Sequence, residues 1–104
     1  MEIIKLLNEC KTVAKIDSDY ELARLLKVER RLMNYYTKGE RKADFYTCLR
    51  IADFLKMDRF LVLLLAELET EKNEKKIKYY SELVTLCAST MLEHQQRKTQ
   101  LHEV

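Results

Sequence analysis

A chain of 104 residues with 47% hydrophobic side chains has room for one small core and excludes a multidomain machine. Its 19 lysines and arginines face 17 aspartates and glutamates, for a net charge of +2, which excludes a uniformly cationic, histone-like coat for nucleic acid. With no proline and a single glycine, Gly39, helix is the expected state almost everywhere, because those two residues are the main breakers.

Ile3, Ile4, Leu6, Leu7, Cys10, Val13 and Ala14 recur at spacings of three and four, which predicts a first helix over about 2–14. Ser18 followed by Glu21 has the form of a capping box, with the hydroxyl taking one backbone N–H and the carboxylate reaching back to another. It opens a second helix over about 19–26, with Leu22, Ala23, Leu25 and Leu26 facing inward. A short turn at Lys27 and Val28 leads to a third helix over about 29–38. Gly39 ends it, as the one residue able to take positive φ at little cost. A fourth helix is expected over about 44–56, with Phe45, Cys48, Leu49, Ala52 and Leu55 as its buried stripe. Asp58 reads as the N-cap of a fifth, over about 59–71. The charge-dense stretch Glu69 to Lys78 reads as a hinge, and a last helix is expected over about 77–98, with a fraying tail at 99–104. The expected division is a domain at 1–68, a helical extension at 69–98 and a flexible tail.

The cysteines, Cys10, Cys48 and Cys87, are far apart and form no C-x-x-C pair, so neither zinc nor a redox couple is expected and each reads as a small packed thiol. The two histidines, His94 and His102, lie eight residues apart near the end with no partners at triad or ligand spacing. One glycine cannot build a phosphate loop. No enzyme, metal or cofactor is therefore expected. The run Phe60 to Ala66 is far shorter than the roughly 20 residues a membrane span needs, and Met1 to Leu7 carries Glu2 and Lys5 within it, unlike a signal peptide. The expected setting is soluble and cytoplasmic.

Charge is concentrated locally. Between Lys27 and Lys42 stand Lys27, Arg30, Arg31, Lys38, Arg41 and Lys42 against only Glu29 and Glu40, whereas from Asp58 onward seven basic residues meet eight acidic ones. The segment from Ser18 through Val28 to Gly39 has the skeleton of a helix-turn-helix. Ala23 is small enough to let two helices approach, and Leu22, Leu26, Val28 and Met33 can share a core. A helix held in this way can stand clear of the body and enter a major groove.

Ser18-Asp19-Tyr20-Glu21-Leu22-Ala23, then Leu25-Leu26-Lys27-Val28, then Tyr36, then Lys38-Gly39-Glu40-Arg41-Lys42, and finally Leu49-Arg50-Ile51-Ala52-Asp53-Phe54-Leu55 together resemble the Cro/lambda-repressor (XRE-like) helix-turn-helix family over about residues 3–66. The later stretches Leu65 to Glu71 and Tyr79 to Leu83 are similar to those of small phage and prophage members of that group. The resemblance implies an all-α, lambda-repressor-like five-helix DNA-binding domain with an additional C-terminal helix. It also implies a transcriptional regulator, a phage or prophage repressor, that puts residues 29–38 into the major groove of double-stranded DNA. By position, Arg30, Arg31, Asn34 and Tyr35 would meet base edges, and Lys27, Lys38, Arg41 and Lys42 would meet phosphates, while Tyr36 falls where the family packs an aromatic. The chain departs from the pattern at Asp19, where the family carries a neutral or basic donor, at Glu29 in the helix entrance, and at Lys27, which replaces the usual turn glycine. The stripe Tyr80, Leu83, Val84, Cys87 and Met91 is expected to pair two copies, although it could instead pack onto Leu61, Leu64, Leu65 and Leu68. A rival reading is a helical module that binds a host protein and no DNA.

Overall fold

The computed structural model describes the backbone of residues 2–102 and the side chains of residues 2–88. Among the described residues six helices follow one another, α1 (Glu2–Ala14), α2 (Asp19–Leu26), α3 (Arg30–Thr37), α4 (Phe45–Leu55), α5 (Arg59–Thr70) and α6 (Glu74–His102). The described residues contain no strand. The fold is all-α, as the composition requires.

Four of the starts, those of α2, α4, α5 and α6, have a side-chain cap. Ser18 Oγ accepts the Glu21 N–H at 3.1 Å, Asp44 Oδ1 accepts that of Thr47 at 2.9 Å, and Asp58 Oδ1 accepts that of Leu61 at 2.9 Å, each satisfying an amide that the first turn leaves without a helical partner. Asn73 Oδ1 accepts from Lys75 and Lys76 at 3.0 and 3.2 Å. That cap reduces the expected Glu69–Lys78 hinge to a three-residue link at 71–73, so α6 begins three residues earlier than its apolar periodicity suggests. At the other end the helix runs to His102, past the start of the expected tail.

The helix ends correct one expectation. Gly39 does take positive φ, at 70°, but so do Lys15, Lys27 and Lys56, at 58°, 57° and 57°. Each lysine is followed by an apolar residue whose N–H reaches five residues back: Ile16 to Lys11 O, Val28 to Ala23 O and Met57 to Ala52 O, at 2.9–3.0 Å. These are Schellman closures, and the apolar residue after the turn packs back onto the core. The left-handed region costs a non-glycine residue about 1–2 kcal/mol. A cation at the negative end of a helix dipole offsets part of that.

The central core joins Ile3, Leu7 and Cys10 of α1, Leu22 and Leu26 of α2, Met33 and Tyr36 of α3, Cys48, Ile51 and Ala52 of α4, and Val62 and Ala66 of α5. The α4 stripe is rotated from the expected one. Thr47, Cys48, Ile51 and Ala52 are buried, Leu49 and Leu55 are half-buried, and Phe45 is 67% exposed. The core takes the face that carries Cys48, Ile51 and Ala52, and Phe45, three residues before Cys48 at the helix start, is left outward. Burial raises the thiols of Cys10 and Cys48 to about 11, as expected of packed, inert cysteines.

Two further bonds tie α5 down. Glu69 Oε1 accepts the Ile3 N–H at 2.7 Å, placing a carboxylate at the positive end of α1. Lys42 is paired with Glu67. Beyond this body, α5 is the one helix that α6 touches among the described residues. Leu61 and Leu64 of α5 are buried yet lie outside the central cluster. The radius of gyration, 15.3 Å, exceeds the ~13 Å of a compact chain this long.

Replacing a left-handed lysine tests the helix ends. Lys56→Gly is expected to raise stability by about 0.5–1 kcal/mol, seen as a higher urea midpoint at unchanged slope. Lys5→Gly, inside α1, should lower it by about 1 kcal/mol.

Candidate nucleic-acid interface

Helices α2 and α3 are joined by a tight turn at 27–29 whose geometry is fixed from three sides. Lys27 in the left-handed region reverses the chain, and Val28, 8% exposed, plugs into the core. From α4, the Tyr46 hydroxyl donates to Lys27 O and Arg50 Nε donates to Leu26 O, both at 3.0 Å. These bonds satisfy carbonyls that the end of α2 leaves open. Leu22, Ala23, Leu26, Val28 and Met33 are all buried, as expected of the shared core.

Asp19 has a structural task. Its Oδ1 accepts from Lys11 Nζ of α1 at 2.8 Å, and its Oδ2 accepts from Thr37 Oγ1 of α3 at 2.9 Å. The hydrogen bond from Lys11 holds this carboxyl below its ordinary range, the Thr37 hydroxyl helps, and partial burial opposes both. The acid that departs from the helix-turn-helix pattern is thus engaged in joining three helices.

The sequence-predicted site residues spread along and around α3. Arg30, Arg31 and Asn34 are exposed, Tyr35 is half-buried, and Lys27 and Lys38 are exposed at the two ends. Arg41 lies over the Tyr35 ring, 4.2 Å from its centre, so Tyr35 serves as a shelf for a cation. Tyr36, only 4% exposed, packs into the body, and burial pushes its phenol up. Lys42 stands apart from this group through its pairing with Glu67 of α5.

Four contributors were not singled out from the sequence. Arg24 and Arg30 both lie over the exposed ring of Tyr20, at 5.9 and 5.1 Å from its centre. The Tyr20–Arg24 spacing of four on one helix signals their contact, but the arrival of Arg30 needs the tertiary fold. Tyr46 and Arg50, which brace the turn, also share one helix face but give no local sign of their partners.

On α6, Tyr80, Leu83, Val84 and Cys87 are half-buried against α5. Burial, followed by the charge of Asp58, raises the Cys87 thiol, which places this part of α6 beside the start of α5 and makes the pair antiparallel. Tyr79 and Leu86 remain 59% and 61% exposed. Met91, His94 and His102 lie outside the residues whose side chains are described. Among the described residues no group of three or more His, Cys, Asp or Glu could hold a metal ion, and no helix is long and apolar enough to cross a membrane.

No family model matches the chain, and neither a curated protein nor a solved structure matches it.

Asp19→Ala should destabilise the fold by about 1–2 kcal/mol at neutral pH. Because the folded carboxyl is lowered, its contribution is complete above the ordinary carboxylate range and disappears as pH falls through the depressed value. Urea melts of wild type and variant should therefore differ near pH 7 and converge in acid.

Proposed function

We propose that the chain is a sequence-specific transcriptional regulator that binds duplex DNA through α2 and α3, arranged as a helix-turn-helix of the Cro/lambda-repressor type. The observation that carries this reading is the outer face of α3, where Arg30, Arg31 and Asn34 are exposed together while the nearby Asp19 carboxylate is taken up by Lys11 and Thr37. Eight residues make a helix about 12 Å long, a length a major groove accommodates. In this arrangement Arg31 and Asn34 are placed to read base edges, an arginine fork suiting guanine O6 and N7. The exposed Lys27, Lys38 and Arg41 would meet phosphates, while Lys42 would have to leave Glu67 to join them. A cytoplasmic phage or prophage repressor is the setting that fits the resemblance.

A second copy of the chain is the proposed cover for α6. This helix touches one neighbour and leaves Tyr79 and Leu86 exposed beside its half-buried stripe. Two-fold pairing would present two α3 helices to successive turns of a palindromic operator.

Selection from a random duplex pool, followed by anisotropy titration, tests the regulator. Arg31→Ala should cost about 1–3 kcal/mol on the selected site and relax its sequence, whereas Lys38→Ala should weaken all duplexes alike. Failure to enrich any sequence, together with capture of a host protein, would replace this reading with the protein-binding one.

Light scattering tests the pairing. Leu86→Glu should convert a dimer to a monomer with helix content retained, and a wild-type monomer at tens of micromolar would remove the dimer.

A further inference from the structure

The ring of Tyr20 carries two guanidinium groups that come from different helices. Arg24 reaches it from the next turn of α2, and Arg30 reaches it from the first turn of α3. The ring is 48% exposed, and both arginines are exposed as well. Neither arginine takes part in an ion pair among the described residues. Asp19, next to Tyr20 in sequence, is engaged by Lys11 and Thr37, and the neighbouring acids Glu21 and Glu29 are exposed and likewise outside those pairs.

Two like charges on one small ring repel each other. The ring face attracts each of them and orients its plane, but it cannot neutralise either. An anion with several acceptor oxygens would do so, and the planar fork of arginine matches phosphate oxygens two at a time. We infer that Tyr20, Arg24 and Arg30 form a clamp for the phosphodiester backbone, with Tyr20 as the shelf that holds both arginines toward it. Arg24 thereby becomes a DNA contact, and Arg30 moves from base reading to backbone holding. Sequence reading at the start of α3 then falls to Arg31 and Asn34.

The clamp sits on both elements of the helix pair, which gives it a mechanical consequence. A phosphate held between Arg24 and Arg30 fixes α3 relative to α2 as it fixes the strand relative to the protein. Backbone contacts of this kind set register while carrying no base preference themselves. The identity of the anion as DNA backbone rests on the regulator reading, whereas the anion site itself does not.

Two measurements on the full chain separate these points. In the first, affinities for the selected site and for unrelated duplexes are followed against salt. Arg24→Ala and Arg30→Ala should each weaken both DNAs by the same factor, roughly tenfold, and each should lower the salt slope by about 1. Tyr20→Leu should reproduce part of the loss on both DNAs, and Tyr20→Phe, which keeps the ring face, should restore it. All three positions are exposed, so thermal midpoints should stay near wild type. In the second measurement, inorganic phosphate is titrated while the arginine Nε–Hε NMR signals are followed. Arg24 and Arg30 should shift together, and Tyr20→Leu should weaken the response.

An Arg24→Ala protein with unchanged affinity and salt slope would overturn the clamp, as would one whose preferred sequence changes. If Tyr20→Phe behaves like Tyr20→Leu, the shelf is overturned. If wild type binds no duplex yet phosphate moves both arginine signals, the anion site stands and the regulator reading falls. If neither binds, both are lost.

Discussion

The left-handed residue at Lys27 is the constraint on which the rest of the molecule depends. With φ at 57°, it turns the chain sharply enough that Val28 enters the core and α3 leaves across α2. A helical φ there would extend α2 and carry the arginines of α3 away from Tyr20. The turn is held by bonds of several kinds: the Schellman closure from Val28 to Ala23, the Tyr46 hydroxyl on Lys27 O and the Arg50 guanidinium on Leu26 O. Because the last two come from α4, the angle between α2 and α3 is set by the body of the protein as well as by the turn. A strained conformation persists only where its surroundings over-determine it, and three independent hydrogen bonds meet that condition.

Charge is sorted by the same construction. Lys11, Lys42 and Arg59 are paired with Asp19, Glu67 and Asp53, and Arg50 is spent on a backbone carbonyl. Arg24, Arg30, Arg31 and Lys38 are in none of these pairs and lie on α2 and α3 or immediately after them. A chain with a net charge of only +2 can present a cationic face where some of its acids, Asp19, Asp53 and Glu67, are paired and the free cations outnumber the exposed Glu21 and Glu29. Asp19 illustrates the point. As a residue type it opposes phosphate, but its hydrogen bonds to Lys11 and Thr37 turn it into a fastener for the helices that carry the arginines.

Much of the architecture was legible in the sequence because it is local. The bounds of α1 and α2, the Ser18 and Asp58 caps and the core role of Leu22, Leu26, Val28 and Met33 follow from periodicity and capping chemistry. What was not legible depends on context. The turn at Lys27 and Val28 was expected, but lysine has no intrinsic preference for the left-handed region, so nothing announced the positive φ of Lys15, Lys27 and Lys56, although the apolar residue after each is a partial signal. The α4 stripe was misplaced because Phe45 looks like core by type, whereas packing against the other helices selects the face with Cys48, Ile51 and Ala52. Of the site, the exposure of Arg30, Arg31 and Asn34 could be anticipated, but the meeting of Arg30 with Tyr20 could not. Ten residues and a turn separate them, and that distance closes only when Lys27 adopts its left-handed conformation.

The thinness of the body gives α6 its significance. The molecule measures 48 × 37 × 18 Å along its principal axes, so its shortest dimension is about that of two packed helices. The central cluster leaves out Leu61 and Leu64 of α5, and α6 packs on the same helix. The cover is itself incomplete, since none of the described side chains of α6 is buried. Burial is what makes small domains stable, and apolar surface left half-covered on an appended helix is the cheapest place to gain more of it. Pairing through α6 would then supply stability and geometry together, completing the sheath over α5 while fixing the spacing of two α3 helices. The face along α2 and α3 has a different character, because the exposed Arg24, Arg30, Arg31, Asn34 and Lys38 outnumber the exposed Glu21 and Glu29 there, and water satisfies all of these groups. The two faces of the protein differ in the kind of surface that each leaves unfinished: apolar along α6, cationic along α2 and α3.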